Sequence, residues 1–151
     1  MIVTAFTLAE RYVGVRELRG AGRDHPLISW WLSLCGFGLD EPDETSWCSA
    51  FVNGVAWELS LPRSKSAVAR SWLGVGQRVS RDELRVGWDV VVLSRPPQAW
   101  AGHVGFFAGW EDDGCVRLLG GNQSDGVSIA PYDAARILGG QRLYPLAPVI
   151  P

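Results

Sequence analysis

The sequence has little of the residue types that most often build metal sites and disulfide frameworks. Its 151 residues include only two histidines, His25 and His103, and three cysteines, Cys35, Cys48 and Cys115. The odd cysteine count contains no CxxC pair, which argues against a disulfide framework and against a zinc ribbon. We therefore expect at least one free thiol.

Long apolar runs and basic clusters are also missing. No segment approaches the roughly 20 consecutive apolar residues of a membrane span, and the charged N-terminal stretch MIVTAFTLAERYVGVRELRG lacks the apolar core of a signal peptide. The formal net charge is -2 and the arginines are scattered, so nucleic acid is not an expected partner. The sequence predicts a soluble protein that is made in the cytoplasm and has no ordinary secretion signal.

The remaining composition, with 47% hydrophobic and 20% charged residues, is typical of one compact domain, which we take as residues 1–151. The first half predicts four helices: one over 6–15 capped by Thr4 or Thr7, one over 25–38, one starting near Trp47, and a short one over 67–76. The second half contains short β-rich segments between turn residues, namely WDVVVLS, HVGFFAGW, CVRLLGGN, GVSIAPY and ILGGQRLYPL. Helices followed by an antiparallel sheet predict an α+β fold.

The stretch TSWCSAFVNG places a thiol at the start of the third helix. If Thr45 or Ser46 caps this helix, Cys48 falls in its first turn, where unpaired N–H groups and the helix dipole stabilise a thiolate. Counting from Cys48, one helical stripe contains Phe51, Val52, Val55 and Leu59. Taken alone, the cysteine also fits a small buried apolar residue, which is the commoner role of a free cysteine.

A base for this thiol is available in the second half of the chain. If the hairpin around the EDDG turn is symmetric, Trp110 pairs with Cys115 and His103 lies opposite Asn122, close enough for the side-chain amide to orient the imidazole. A bulge of one residue would move Asn122 to the other face. The other histidine, His25, precedes a proline in a loop, and we expect it only to be solvated.

Six segments, in order, carry a resemblance over nearly the whole chain: GVRELRGAG, DETSWCSAFVNGVAWELSLP, AVARSWLGVG, GWDVVVLSR, GHVGFFAGW and LLGGNQS. The chain resembles the small NlpC/P60 and CHAP-like cysteine hydrolases. The resemblance implies a papain-like fold and cleavage of amide bonds in bacterial peptidoglycan, by an amidase or an endopeptidase, without a cofactor or metal. Carried over by position, Cys48 is the nucleophile, His103 the base and Asn122 the polar orienter, with Gln123 adjacent to this variable third position.

Further residues are candidates for substrate binding. Trp47, Trp72 and Trp100 lie near these segments, where aromatic faces can stack on sugars, although most tryptophans form core or cleft wall. The acidic loop before the nucleophile includes Asp43, a candidate for binding calcium or the amino group of a wall peptide; a solvated loop is the alternative. Gln123 completes the predicted substrate-binding set.

Three other functions remain open on the sequence. A non-catalytic wall-binding or structural module would keep the same fold, a zinc wall amidase would need a better ligand set than two distant histidines, and a lysozyme-like glycosidase would need a carboxylate pair. For the hydrolase, the expected partner is peptidoglycan. Delivery without a secretion signal suits a phage setting, with a holin or tail partner, or a dedicated export machine, with an immunity protein.

Overall fold

The computed structural model describes residues 2–20, 24–38 and 46–144. Within these ranges the helices are α1 (Ala5–Glu10), α2 (Pro26–Ser33) and α3 (Cys48–Glu58). The strands are β1 (Gln77–Val79), β2 (Asp89–Ser94), β3 (Gly102–Trp110), β4 (Val116–Gln123), β5 (Gly126–Tyr132) and β6 (Ile137–Arg142). Three 3₁₀ helices complete the described chain: Ala69–Gly74, Arg81–Glu83 and Ala134–Arg136.

The strands form one antiparallel sheet in the order β1-β6-β2-β3-β4-β5. Helices therefore precede an antiparallel sheet, and the predicted α+β class is confirmed. The five β-rich segments correspond to β2 to β6. Strand β1 was not predicted, because its three residues are too short to carry an alternating pattern.

The core has two parts. The larger cluster joins the helices to the sheet through stacked and edge-on aromatic rings, among them Trp31, Trp47, Phe51 and Phe106. The smaller cluster contains alternate residues of the same strands, such as Leu93, Phe107 and Leu118. Because neighbouring strand residues enter different clusters, the central strands are buried on both faces.

Tertiary contacts shorten the first helix. Of the two predicted caps, Thr4 is the one that caps α1, in a reciprocal capping box with Thr7, but the helix ends at Glu10. Gly14 adopts φ +99°, a conformation that favours glycine, and its N–H donates to the Val127 carbonyl at 3.0 Å. The segment predicted to continue the helix therefore runs along β5 instead.

The prediction for His25 was wrong. Its Nδ1 accepts a hydrogen bond of 3.1 Å from the backbone N–H of Leu27, so the side chain caps α2.

No helix in the described ranges is long and apolar enough to cross a membrane.

Candidate active site

Cys48 is the first residue of α3, and its side chain is almost fully buried, with 3% exposed. The helix is preceded by Trp47, whose backbone is not helical and whose side chain makes no capping hydrogen bond. The predicted cap is thus not formed by Ser46, and Thr45 lies outside the described residues. The backbone of Val104, the residue directly after His103, lies close enough to act on the Cys48 sulfur.

Burial dominates the titration of this thiol. It raises the pKa of Cys48, and the opposing effects of the Val104 and Ser49 backbones and of the Arg95 charge do not compensate. The backbone N–H groups at the helix start favour the thiolate, as expected, but the loss of hydration on burial outweighs their effect. Cys48 is a neutral thiol at neutral pH and needs a base to become a nucleophile.

The second polar group of the site is the pair formed by His103 on β3 and Gln123 at the end of β4. The two side chains are each 6% exposed, and His103 Nε2 lies 2.9 Å from Gln123 Oε1. The amide nitrogen of Gln123 donates to the Ser128 carbonyl at 2.8 Å, so its oxygen faces the imidazole. The imidazole Nε2 must then be the donor, which leaves Nδ1 without its proton and able to accept one.

His103 is neutral over most of the pH range. Burial lowers its pKa to about 4; the hydrogen bond to Gln123 opposes this, and the charges of Arg136 and Arg95 lower the pKa further. Tyr132 packs on the imidazole with ring centroids 5.1 Å apart, and its hydroxyl lies 3.3 Å from Nε2. The site therefore combines a neutral thiol with a neutral imidazole.

Asn122 does not meet the imidazole. Its Nδ2 donates to Ser46 Oγ at 3.3 Å, and its backbone is left-handed with φ +57°. The predicted symmetric register correctly pairs Phe106 with Leu119. The register shifts near Gly109, so Trp110 pairs with Val116 and not with Cys115.

A second irregularity explains where Asn122 points. In the pairing of β4 with β5, Gly120 is opposite Ser128 while Gln123 is opposite Gly126, so β4 contains one extra residue. This bulge turns Asn122 out and brings Gln123 to the imidazole. The residue in contact with His103 is therefore Gln123, which was predicted to bind substrate and was noted as the neighbour of the variable third position.

Two adjoining cavities surround the candidate site. A cavity of about 480 Å³ is lined by Cys48, by residues 67–69 at the start of the first 3₁₀ helix and by the loop before β3, and a cavity of about 240 Å³ is lined by His103 and Tyr132. Arg95 lines both. In the described chain, no hydrogen bond joins the Cys48 sulfur to the His103 ring, whose polar contacts are Gln123 and Tyr132. Contacts between a nucleophile and its base are often long in free enzymes.

The other predicted substrate-binding residues differ in their placement. Trp47 and Trp72 are completely buried, so neither presents a ring face to a ligand, and this expectation was wrong. Their indole N–H groups donate to Glu17 at 2.8 Å and to Ser49 at 2.9 Å, which makes them supports of the helix start.

Among these tryptophans, Trp100 is 73% exposed and lines the larger cavity. Asp43 and the rest of its acidic loop lie outside the described residues.

Three residues of the smaller cavity were not predicted from the sequence: Arg95, Tyr132 and Arg136. Arg95 follows β2, Tyr132 ends β5 and Arg136 ends the last 3₁₀ helix. No local pattern marks them, because the sheet order alone brings these positions together.

Comparison of the chain with known protein families and with curated proteins finds no significant match. Among the described residues, no three histidine, cysteine, aspartate or glutamate side chains are grouped so that they could hold a metal ion.

Proposed function

We propose that the chain is a cysteine-dependent amide hydrolase of bacterial peptidoglycan, either an N-acetylmuramoyl-L-alanine amidase or a peptide endopeptidase, with a papain-like fold. The observation that carries the proposal is the buried His103–Gln123 pair beside adjoining cavities, one of which is lined by Cys48 at the start of α3. An imidazole oriented by an amide, with a thiol lining the adjoining cavity, supplies the base and the nucleophile that cleavage of an amide bond requires.

The chemistry follows from the protonation states. Nδ1 of His103 takes the proton of the neutral Cys48 thiol as the sulfur attacks the amide carbonyl. The tetrahedral intermediate collapses to a thioester, and His103 returns the proton to the leaving amine. Water, deprotonated by the same imidazole, then hydrolyses the thioester to a carboxylic acid and regenerates the thiol.

Two other groups of the chain assist these steps. The backbone N–H of Cys48 belongs to the first turn of α3 and has no acceptor within the helix, so it can donate to the oxyanion. Gln123 holds the proton of His103 on Nε2 and acts as a positioning residue.

Support for a wall substrate comes from the sequence. The six segments that resemble NlpC/P60 and CHAP-like hydrolases include Cys48, His103 and Gln123, and the helix that begins at Cys48 packs on an antiparallel sheet. The cavity beside Cys48 is open to an extended substrate, and the exposed indole of Trp100 at its edge suits stacking on a sugar.

The test is digestion of purified peptidoglycan followed by mass analysis of the soluble fragments. The wild-type protein should release fragments with new amino groups, and Cys48→Ala should release none. Cys115→Ala is the matched control, because Cys115 follows the β3–β4 turn, away from both cavities, and should keep activity. Release of the same fragments by Cys48→Ala would end the cysteine mechanism.

One observation favours a second function. Cys48 and His103 make no mutual hydrogen bond in the described chain, as would suit a non-catalytic wall-binding module. That function predicts that the wild-type protein sediments with insoluble peptidoglycan but releases no fragments from it.

A further inference from the structure

We propose that Arg95 and Arg136 form a carboxylate-binding site beside the candidate nucleophile and base, so that the preferred substrate carries a free carboxylate near the amide that is cut. This inference deepens the proposed hydrolase function and rests on it. It is carried by the position, contacts and charge of the two guanidinium groups.

Arg95 lies at the junction of the two cavities. It directly follows β2, is exposed, and lines both the cavity beside Cys48 and the cavity beside His103. Its charge acts on Cys48, His103 and Tyr132 alike, which places it within electrostatic reach of all three groups. A ligand bound to Arg95 would thus lie next to the reacting groups.

Arg136 is held in place from the neighbouring strand. Its Nε donates to the Ser94 carbonyl at 2.9 Å, and its guanidinium carbon lies 5.5 Å from the centroid of the Tyr132 ring. Ser94 directly precedes Arg95, so this bond brings the two arginines to the same edge of the smaller cavity. With Nε occupied, the two terminal nitrogens of Arg136 are left to bind a carboxylate end-on.

The described chain does not neutralise these cations. Its ion pairs join Arg117 to Glu111 and Arg142 to Asp89, and no described acidic side chain lines either cavity. Two cations at one small cavity repel each other, and an anionic ligand relieves this repulsion. The cavity of about 240 Å³ has room for a carboxylate group with a short side chain.

The ligand class follows from the geometry. The planar fork of a guanidinium group matches the two oxygens of a carboxylate, and Asn122 and Tyr132 line the same cavity as further polar residues. Peptides carry carboxylates at their C-termini and on acidic side chains, so a peptide substrate can supply this ligand. Arg95 and Arg136 would select substrates whose carboxylate lies in the smaller cavity while the amide to be cut lies at Cys48.

The experiment compares two preparations of soluble glycan-peptide fragments from bacterial wall. One keeps its carboxylates, and the other is treated with a carbodiimide and excess ammonia so that carboxylates become carboxamides. For the wild-type protein we expect kcat/KM to be roughly 10- to 100-fold higher on the untreated fragments, the range for hydrogen bonds to charged groups. Most of the difference should appear in KM, because the interaction is made in the ground state.

Variants assign the effect to these two arginines. The double variant Arg95→Gln, Arg136→Gln should reduce the preference to less than about threefold, since neutral amides bind carboxylates and carboxamides similarly. Arg95→Lys should keep part of it, because the charge remains without the planar fork. Arg117→Gln is the matched control, since this arginine is paired with Glu111 on the surface, and should keep the full preference.

A binding measurement separates this inference from the hydrolase proposal. Cys48→Ala protein is titrated with both preparations by calorimetry, and tighter binding of the untreated fragments supports the carboxylate site even if the wild-type protein cleaves neither preparation. Equal affinities, or a preference that survives the double arginine variant, would overturn it. Cleavage of both preparations with equal kcat/KM would overturn it while leaving the hydrolase intact.

Discussion

The imidazole of His103 donates from Nε2 to the Oε1 of Gln123 at 2.9 Å, and the Gln123 amide is itself fixed by the Ser128 carbonyl at 2.8 Å. This chain of hydrogen bonds sets the tautomer of the imidazole from a neighbouring strand. The positioning of His103 is therefore a property of the β4–β5 pairing and not of β3 alone.

If Gln123 orients the base, Gln123→Ala should lower kcat by about 10- to 100-fold while a residue that faces elsewhere has little effect. Asn122→Ala is the matched comparison for kcat, because this neighbouring amide bonds Ser46 and not the imidazole; as a lining residue of the smaller cavity it should change KM rather than kcat. Steady-state hydrolysis of wall fragments measures both. A larger loss of kcat for Asn122→Ala than for Gln123→Ala would show that Gln123 is not the residue that orients the imidazole during the reaction.

The low pKa of His103 predicts activity in acid. A histidine with an ordinary pKa near 6.5 would be almost fully protonated at pH 5, whereas burial lowers the pKa of His103 to about 4. The acidic limb of the kcat/KM profile should therefore have its midpoint near pH 4. A midpoint near pH 6.5 in the free enzyme would contradict the buried neutral imidazole.

The lowered pKa of His103 also makes the free energy of unfolding depend on pH. Between about pH 4 and pH 6.5 the unfolded chain binds a proton at this histidine and the folded chain does not, so the free energy of unfolding rises with pH across this window and is flat above it for this group. The contribution lost on acidification is on the order of 3 kcal/mol. Urea titrations at several pH values should show a smaller slope in His103→Gln than in the wild type, and parallel curves would contradict the assignment.

The raised pKa of Cys48 predicts how the thiol reacts. In a variant with Cys35→Ala and Cys115→Ala, Cys48 is the only thiol, and its alkylation by iodoacetamide should accelerate about tenfold per pH unit from pH 7 to pH 9. A preformed thiolate–imidazolium pair would instead give a plateau near neutral pH. Mass spectrometry of timed samples distinguishes the two profiles.

Local patterns were sufficient for most of the fold. The hydrophobic segments between turn residues predicted β2 to β6, and the TSWC stretch correctly located the start of α3 near Trp47. Sequence patterns did not predict the backbone conformation where contacts between residues far apart in the sequence determine it. The segment after Glu10 is helical in its periodicity, but Val127 holds it against β5 by donating to the Val15 carbonyl and accepting from the Gly14 N–H.

The candidate site was only partly predictable for a related reason. Cys48 and His103 stand out because few residues can perform such chemistry, whereas Gln123 reaches the imidazole only through a bulge that residue counting cannot detect. Arg95 follows β2 and Arg136 ends the 3₁₀ helix before β6, so the two meet because β2 and β6 are neighbours in the sheet. Sheet order is a long-range property, and nothing in the local sequence specifies it.

The glycines before Asn122 allow one further prediction. A Cβ on Gly121 would lie 2.6 Å from Cζ3 of the Trp47 ring and 2.8 Å from Cβ of Phe51, so Gly121→Ala should force β4 away from the start of α3. Overpacking of this kind costs about 1 to 3 kcal/mol of unfolding free energy.

Gly74→Ala is the control for that substitution, because a Cβ there meets nothing within 4 Å and its backbone conformation is not one that favours glycine. It should be neutral or stabilise by about 0.5 kcal/mol through the unfolded state. Urea midpoints compare the two variants with the wild type, and activity should fall with Gly121→Ala, since the shift separates Cys48 from Gln123. Equal midpoints for the two variants would mean that β4 and α3 are not in the close contact on which the proposed site depends.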